Sequence, residues 1–278
     1  MSDGRAGTLY VVSTPIGNMG DFSFRAVETL RSVDLVLAED TRHSGPLLKR
    51  YEIPAKMMAY HEHNEAKATP GLVARLAAGE TMALISDAGT PILSDPGARL
   101  VMAAIAAGIL VVPIPGASAL LSALVVSGLP ADRFTFIGFL PRSGADRRAA
   151  IAGLTELEHT AVLYEAPGRI AATLGDIEAA GGGDRPAAVA REMTKQFEET
   201  RRGTVSELMA YYKDSPPRGE VVIVLGAAPK QVVGDDEIRD RVRALRAQGM
   251  SAKDTALAVA KELGVPRRVA YQLTQERE

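Results

Sequence analysis

The stretch "TMALISDAGTPILSDPGARL", residues 81–100, holds a strand, a loop and a helix start in succession. Thr81–Ser86 is apolar at successive positions rather than alternating. That is the pattern of a strand covered on both faces, as in a parallel sheet flanked by helices. The loop after it, residues 86–97, is mostly Asp, Ala, Gly, Thr, Ser and Pro, with Ile92 and Leu93 between them; the small and turn-forming residues turn the chain and let backbone approach a ligand. A helix is predicted over 95–107, with Gly108 at its C-cap. Working outward, "LYVV", "LVLA" and "ILVV" repeat the continuous apolar run. They predict strands at Thr8–Ser13, Asp34–Ala38 and Leu110–Ile114, with another at Lys56–Tyr60 and helices near 22–32, 42–51 and 65–79.

From Arg133 onward, "RFTFIGFL", "HTAVLYEA", "RPAAVARE", "FEETRRG" and "GEVVIVLG" read as strands. Helices fall near 144–157, 168–180 and 204–213, and within 116–127. Two successive strands with no helix between them predict a mixed sheet. The fold class is therefore α/β: two α/β domains, 1–118 and 119–230, each with its own sheet. "GAAPKQVVG" reads as a linker, and 231–278 as a helical extension. In that extension "DDEIRDRVRALRAQG" is an amphipathic helix with an acidic first turn. A helix, a Gly-Val turn and a further helix with Pro266 at its start follow, a spacing similar to a helix-turn-helix. Nine Lys/Arg against five Asp/Glu from Ile238 onward fit either a basic arm for nucleic acid or a solvated helical cap or dimer contact.

Composition narrows the function classes. A net charge of −2 provides no global field for a polyanion, so any nucleic-acid affinity must be local. The absence of cysteine excludes disulfides, thiolate metal sites and cysteine nucleophiles, and fits a cytoplasmic location. Leu100–Ala131 carries no charge, but Gly108, Pro113, Pro115 and Gly116 cut it into pieces shorter than the roughly 20 residues of a membrane span. The apolar run near the N-terminus is too short for a secretory signal.

Four loops follow the carboxyl ends of predicted strands, where open α/β sheets bind ligands. They are "STPIGN", "AEDTRHS", "SDAGTPILSDPG" and "PIPGASA". None contains the lysine common in phosphate loops, and Asp87 and Asp95 would repel a phosphate. Gly89, Gly97, Gly116, Ala88 and Ala117 allow close backbone approach. A sulfonium cation with a ribose diol and an adenine suits such a site, which points to S-adenosylmethionine.

Taken in order, "STPIGNMGD", "AEDTRHS", "SDAGTPILSDPG", "PGASA", "YEAPGR", "REMTKQFEET" and "GEVVIV" resemble the small-subunit ribosomal RNA methyltransferase I family of the tetrapyrrole methylase superfamily. The likeness runs from about Leu9 to the C-terminus. Related corrin and porphyrin methylases usually show a shorter Gly-Asp-Pro loop in place of "SDAGTPILSDPG". The resemblance implies 2′-O-methylation of a cytidine in 16S rRNA of the small ribosomal subunit, a homodimer, and S-adenosylmethionine in a cleft between the two domains. Carried over by motif, the cofactor would touch Pro15, Gly17, Asn18, Asp87, Ala88, Gly89, Thr90, Ser118 and Ala119, with Tyr164 and Ala190 flanking it from the second domain.

A ribose hydroxyl gains from a general base. Glu39, Asp40, His61, His63, Glu165 and Glu192 are candidates, with Glu39 and Asp40 at a strand end foremost. Lys195 could meet an RNA phosphate or the developing oxyanion. Asp40 also fits a helix N-cap paired with Arg42. His61 and His63 are expected on one face of an extended segment, and no third ligand accompanies them, so no metal is expected. Arg42, Arg142, Arg169, Arg267 and Arg268 are candidate RNA contacts, and Arg147 and Arg148 could extend the phosphate track. The nearest rival is a methylase of a corrin or porphyrin precursor. A non-catalytic RNA-binding or assembly factor, with "GNMG" as a G-x-x-G loop, is the rival from another class.

Overall fold

The computed structural model describes residues 6–229 and 234–275. The first sheet is fully parallel, in the order β3-β2-β4-β1-β5. Its strands are β1 Thr8–Val12, β2 Leu35–Ala38, β3 Met57–Ala59, β4 Met82–Ile85 and β5 Leu110–Ile114. All four residues of β2 and of β4 are buried, as the continuous apolar runs require. The crossovers are α1 Phe24–Ser32, α2 Thr41–Arg50, α3 Glu65–Ala77 and α4 Ala98–Ala106. Ala26, Leu30 and Leu48 pack with Val12, Val36 and Ile85 on one face. Leu72, Leu76 and Leu100 pack with Leu9, Leu37 and Leu84 on the other. Truncating any one of these leucines to alanine costs about 2–5 kcal/mol.

The second sheet has the order β6-β7-β10-β8-β9 and is mixed. Its strands are β6 Phe134–Phe139, β7 Thr160–Glu165, β8 Pro186–Arg191, β9 Glu199–Thr204 and β10 Val221–Leu225. Only β6 and β7 run parallel; β10 pairs antiparallel with β7 and β8, and β8 with β9. Helices α6 Gly144–Thr155, α7 Ile170–Ile177 and α8 Val205–Asp214 close one face. The other face, through Val162, Ala188, Ala190, Val222 and Val224, packs on Leu120, Ala123 and Leu124 of α5 Ala119–Ser127, and on Ile16 of the first domain. That shared core fixes the two sheets against each other and leaves a cleft at its edge.

Arg185, just before β8, is buried and pairs with no carboxylate among the described residues. It donates to Gly226 O (Nε, 3.0 Å), Leu154 O (Nη1, 2.9 Å) and Leu157 O (Nη2, 3.4 Å).

Chain contacts divide the molecule into Met1–Ala228 and Pro229–Glu278. The second unit contains α9 Asp235–Ala247, α10 Ala252–Leu263 and α11 Arg267–Gln275 around a core of its own, with Ile238, Val242, Val259 and Ala270 buried. Gly264, with φ 65°, ends α10 in the left-handed conformation that glycine adopts without strain. Residues 230–233, the middle of the expected linker, lie outside the described residues. No helix among the described residues is long and apolar enough to cross a membrane.

Candidate active site

Because the first sheet is parallel, the loops after β1, β2, β4 and β5 leave the same edge. Hydrogen bonds weld them into one surface. Thr14 N–H donates to Gly89 O (2.8 Å) and Gly89 N–H to Thr14 O (3.1 Å). Ser13 Oγ and Thr90 Oγ1 are 3.0 Å apart, and Thr90 Oγ1 donates to Ala117 O at 3.3 Å. Asp40 N–H donates to Asp87 Oδ1 at 3.2 Å, tying the second loop to the third. At Gly116 a Cβ would come within 2.9 Å of Ser13 Cβ, so the first and fourth loops close only over glycine. In the third loop Ile92 and Ser94 take φ of 80° and 68°, positions at which a side chain is strained.

A cavity of about 410 Å³ lies between these loops and the ends of β7 and β10. Its apolar walls are Ile16, Leu93, Phe139, Tyr164, Met193 and Val222. The Tyr164 ring is held edge-on by Phe136 and Phe139, with centroids 5.0 and 5.6 Å away. Ala88, Gly89, Thr90, Ser118 and Ala119 bring backbone and the N-terminus of α5 to its rim. Three carboxylates line it, Asp95, Glu165 and Glu220, and among the described residues no lysine or arginine does. Glu165 is held within the fold, accepting from Thr173 Oγ1 (2.6 Å) and Ala166 N–H (2.8 Å).

A second hollow, of about 650 Å³, shares Ile16, Ala88 and Glu220 with the first. Its other walls differ in charge: Arg42, His43 and Arg50 on or beside α2, and Lys195 from the second domain, with Asp87 opposite. Lys195 Nζ is 3.0 Å from Glu192 Oε1 and 3.3 Å from Glu220 Oε2. Its stem lies over Gly17, where a Cβ would collide with Lys195 Cγ. A third hollow beside the second contains Glu39, Asp40, Arg42, His61 and His63.

Electrostatics separate the carboxylates. Burial pushes Asp95 up to about 6, with further upward pressure from the Glu39 and Asp87 charges. Burial, then the Asp87 charge, also raises Glu39. Asp40 is pulled down to about 2 by hydrogen bonds from the Arg42 side chain and backbone. Glu192 is lowered by the Glu220 N–H and then by Lys195. Burial alone would lower Lys195, but the Glu192 hydrogen bond and the Glu220 charge outweigh it and leave it raised, so it stays a cation.

The expected contact residues are partitioned between these spaces. Ala88, Gly89, Thr90, Ser118, Ala119 and Tyr164 line the acidic cavity. Pro15, Gly17 and Asp87, with Ala88 again, line the basic hollow. Asn18 lines neither: it caps the turn Met19–Asp21 through Gly20 N–H (2.9 Å), and its own N–H donates to Thr194 Oγ1 (3.1 Å). Ala190 is buried beside Val222, its partner in the sheet, and does not reach the cavity surface. Asp40 is the N-cap of α2 and an ion-pair partner of Arg42 at 2.7 Å.

Two expectations need correction. His61 and His63 do not lie on an extended segment. Asn64 accepts the His61 N–H (2.9 Å) and donates to Ala59 O (2.9 Å), turning the chain into α3 and bringing the imidazoles edge-on at 5.9 Å. Arg147 is no phosphate contact: it is buried, donating to Asp176 Oδ2 (2.7 Å), Pro141 O (3.1 Å) and Thr173 Oγ1 (2.9 Å). Arg169 is drawn into the same region by Glu165 (3.4 Å) and Pro141 O (3.2 Å), whereas Arg142, Arg148, Arg267 and Arg268 are exposed. Leu93, Phe139, Met193 and Val222 were not singled out in the sequence, because apolar strand and loop residues carry no mark of facing a cavity. Asp95 was visible, in the same loop as Asp87.

Comparison with known proteins gives concordant results. Residues 8–209 match the model of the Tetrapyrrole (Corrin/Porphyrin) Methylases. A ribosomal RNA small subunit methyltransferase I from Synechocystis sp. is 46% identical, over 98% of this chain and 99% of that protein. Its counterpart from Mesorhizobium japonicum is 47% identical, over 95% and 90%. Among solved structures, a uroporphyrin-III C-methyltransferase from Thermus thermophilus, complexed with S-adenyl homocysteine, superposes with a TM-score of 0.55 at 18% identity, covering 79% of this chain and 97% of that one. The methyltransferase CobJ gives 0.60 at 16%, covering 82% and 98%. At these identities the structural likeness speaks for the fold alone.

Proposed function

This chain belongs to the ribosomal RNA small subunit methyltransferase I family of the tetrapyrrole methylases, and on that footing we propose that it transfers a methyl group from S-adenosylmethionine to the 2′-hydroxyl of a cytidine in 16S rRNA. The observation that carries this reading is a pair of adjoining spaces of opposite character. One is acidic, apolar and without a basic residue among those described; the other is basic; and they meet at Ile16, Ala88 and Glu220. The first fits a cation that carries an aromatic base and no phosphate. The second fits an acceptor that arrives on a phosphodiester backbone.

Residues fit the cofactor by chemistry. Leu93, Met193, Val222 and Tyr164 would flank the adenine, Asp95 and Glu220 would face the cationic end, and Ser118 with Ala119 would offer the opening of α5. When bound, S-adenosylmethionine supplies a methyl group already activated by the positive sulfur. The chain's own work is then positioning, exclusion of water and removal of one proton. Lys195, fixed between Glu192 and Glu220, holds a cation beside the acceptor hydroxyl, where charge builds on oxygen. Among the candidate bases, Glu39 has the raised proton affinity that the task needs; Asp40 and Glu192 are too acidic. Arg42 and Arg50 line the hollow where the flanking phosphates enter.

The enzyme works as a homodimer in the cytoplasm on this reading. β5 is an edge strand with Leu110 exposed, and Met102, Ile105, Leu121 and Val125 are exposed apolar residues on the helices that flank it in sequence, which favours a second copy there. Mass spectrometry of 16S rRNA from cells with and without the active protein tests the reaction. A methylated cytidine ribose that appears only with the active chain supports it. Methyl transfer to a porphyrin precursor and none to small subunits would replace it.

A further inference from the structure

A separate pocket, of about 240 Å³, opens on the α8 face of the second sheet, opposite the face that carries Val222 and the cleft. Arg191, Glu199, Tyr211, Tyr212 and Arg218 line it. We infer that this pocket is an oxyanion site that takes a backbone phosphate of the RNA substrate; the RNA half of the inference rests on the function proposed above.

The donors there outnumber the acceptors. Glu199 is the pocket's one carboxylate, and it is already shared by Arg191 (2.7 Å) and Arg201 (3.2 Å). The Arg201 guanidinium carbon sits over the ring of Tyr211, a wall of the pocket, 3.6 Å from its centroid. Arg218 is exposed and makes no ion pair among the described residues. Two buried polar atoms lack a partner among the described residues: Tyr212 Oη, on a residue only 3% exposed, and Arg201 Nε. An Nε–H can only donate, and burial keeps the Tyr212 phenol protonated, pushed up to about 12, so both ask for an acceptor. Buried donors of this kind are costly to leave unmade, and two guanidiniums, Arg191 and Arg218, line the pocket against its one carboxylate. A phosphodiester supplies the acceptor oxygens and the charge together.

The pocket's place in the chain ties it to the cleft. Arg191 immediately precedes Glu192, and Arg218 precedes Gly219 and Glu220. Those two segments are joined, with Glu192 N–H donating to Glu220 O (2.9 Å) and Glu220 N–H to Glu192 Oε1 (3.0 Å), and together they clasp Lys195. A phosphate held here steadies the segments that position Lys195.

The test uses the full chain, titrated in parallel with inorganic phosphate by calorimetry and with a single-stranded RNA oligonucleotide by fluorescence anisotropy. Arg218→Ala weakens both about tenfold, the loss of one charge-assisted hydrogen bond, and lowers the salt slope of RNA binding by about one. Tyr212→Phe removes only the orphaned hydroxyl, so it folds, and weakens both a few-fold. S-adenosylmethionine affinity is unchanged in both variants. If Tyr212→Phe leaves phosphate and RNA affinity as they were and merely raises Tm, the hydroxyl is a passive orphan and the inference fails. Phosphate binding weakened with RNA binding intact overturns the RNA assignment. A pocket that binds phosphate in a chain that methylates no RNA removes the proposed function and leaves the oxyanion site standing.

Discussion

Asp95 carries opposite consequences for stability and for function. Its folded-state pKa, about 6, lies above the ordinary 3.8 of an aspartate, so between those values the folded chain holds more protons than the unfolded one. Stability therefore falls as pH rises from about 4 through 6 and is flat above that, because the ionised form is the disfavoured one. Asp95→Asn relieves this. At pH 7.5 it raises Tm by about 3 °C, the shift expected from roughly 1 kcal/mol in a chain of this size, and at pH 4 the difference vanishes. The same substitution removes a negative charge from the cavity wall and weakens S-adenosylmethionine binding about tenfold or more. Thermal scans at the two pH values, with calorimetric titration at pH 7.5, check both halves. A variant that gains no stability at pH 7.5, or that binds the cofactor unimpaired, contradicts this assignment. Among single residues, those on Gly-rich loops were readable from the sequence, because a motif at a strand end has little structural reason for its composition. Leu93 and Met193 were not, since a buried leucine in a wall and one in a core read alike. Arg147 misled for the converse reason: sequence gives a charge but not the Asp176 that waits for it.

At the scale of elements, parallel strands announced themselves because burial on both faces leaves no polar position to interrupt the run. β2, β4 and β5 were expected within a residue or two of their observed limits, and the hairpin-like succession of β8 and β9 gave away the mixed sheet. What the sequence could not show is how the elements are fastened. Arg185 links the start of β8 to the carbonyl of Gly226 after β10, to Leu154 in the last turn of α6 and to Leu157 just after it. Arg185→Met takes the side-chain donor from Gly226 O, while Leu154 O and Leu157 O keep the N–H groups of Leu157 and Ala228; it costs about 2 kcal/mol, measured as a lowered urea midpoint at unchanged slope. A variant as stable as the parent would mean that water replaces the guanidinium. The loop holding Lys195 is fastened differently. Glu192 and Thr194 take φ of 50° and 68°, and the Lys195 stem occupies the space above Gly17. Lys195→Met keeps that packing and removes the charge. It lowers kcat about 100-fold with cofactor affinity unchanged, since the ammonium acts on charge that builds in the transition state. Equal losses in kcat and cofactor affinity would show that Lys195 serves binding instead.

For the whole molecule, the division at Ala228 and Pro229 makes a clean prediction. Each unit has its own hydrophobic core, so a chain ending at residue 228 retains the two sheets, the cleft and the residues of the acidic cavity. The extension is less basic than its later half suggests. Asp235, Asp236 and Glu237 open α9, and Arg239, Arg241 and Arg243 pair with Asp236, Glu262 and Asp240. At the start of α11, Arg267 and Arg268 are adjacent and exposed and make no ion pair among the described residues. The loss on truncation is therefore confined to RNA. S-adenosylmethionine affinity and the main unfolding transition persist, while RNA affinity falls and the slope of log K against log salt drops by about 2, one for each arginine that leaves a phosphate. Arg267→Ala with Arg268→Ala in the intact chain reproduces most of that change in slope if those residues carry it. A truncated chain with the full salt slope would assign the polyanion contacts to the two-sheet unit alone, to Arg42, Arg50 and the Arg218 pocket, and would leave the three helices a structural or dimer-contacting role.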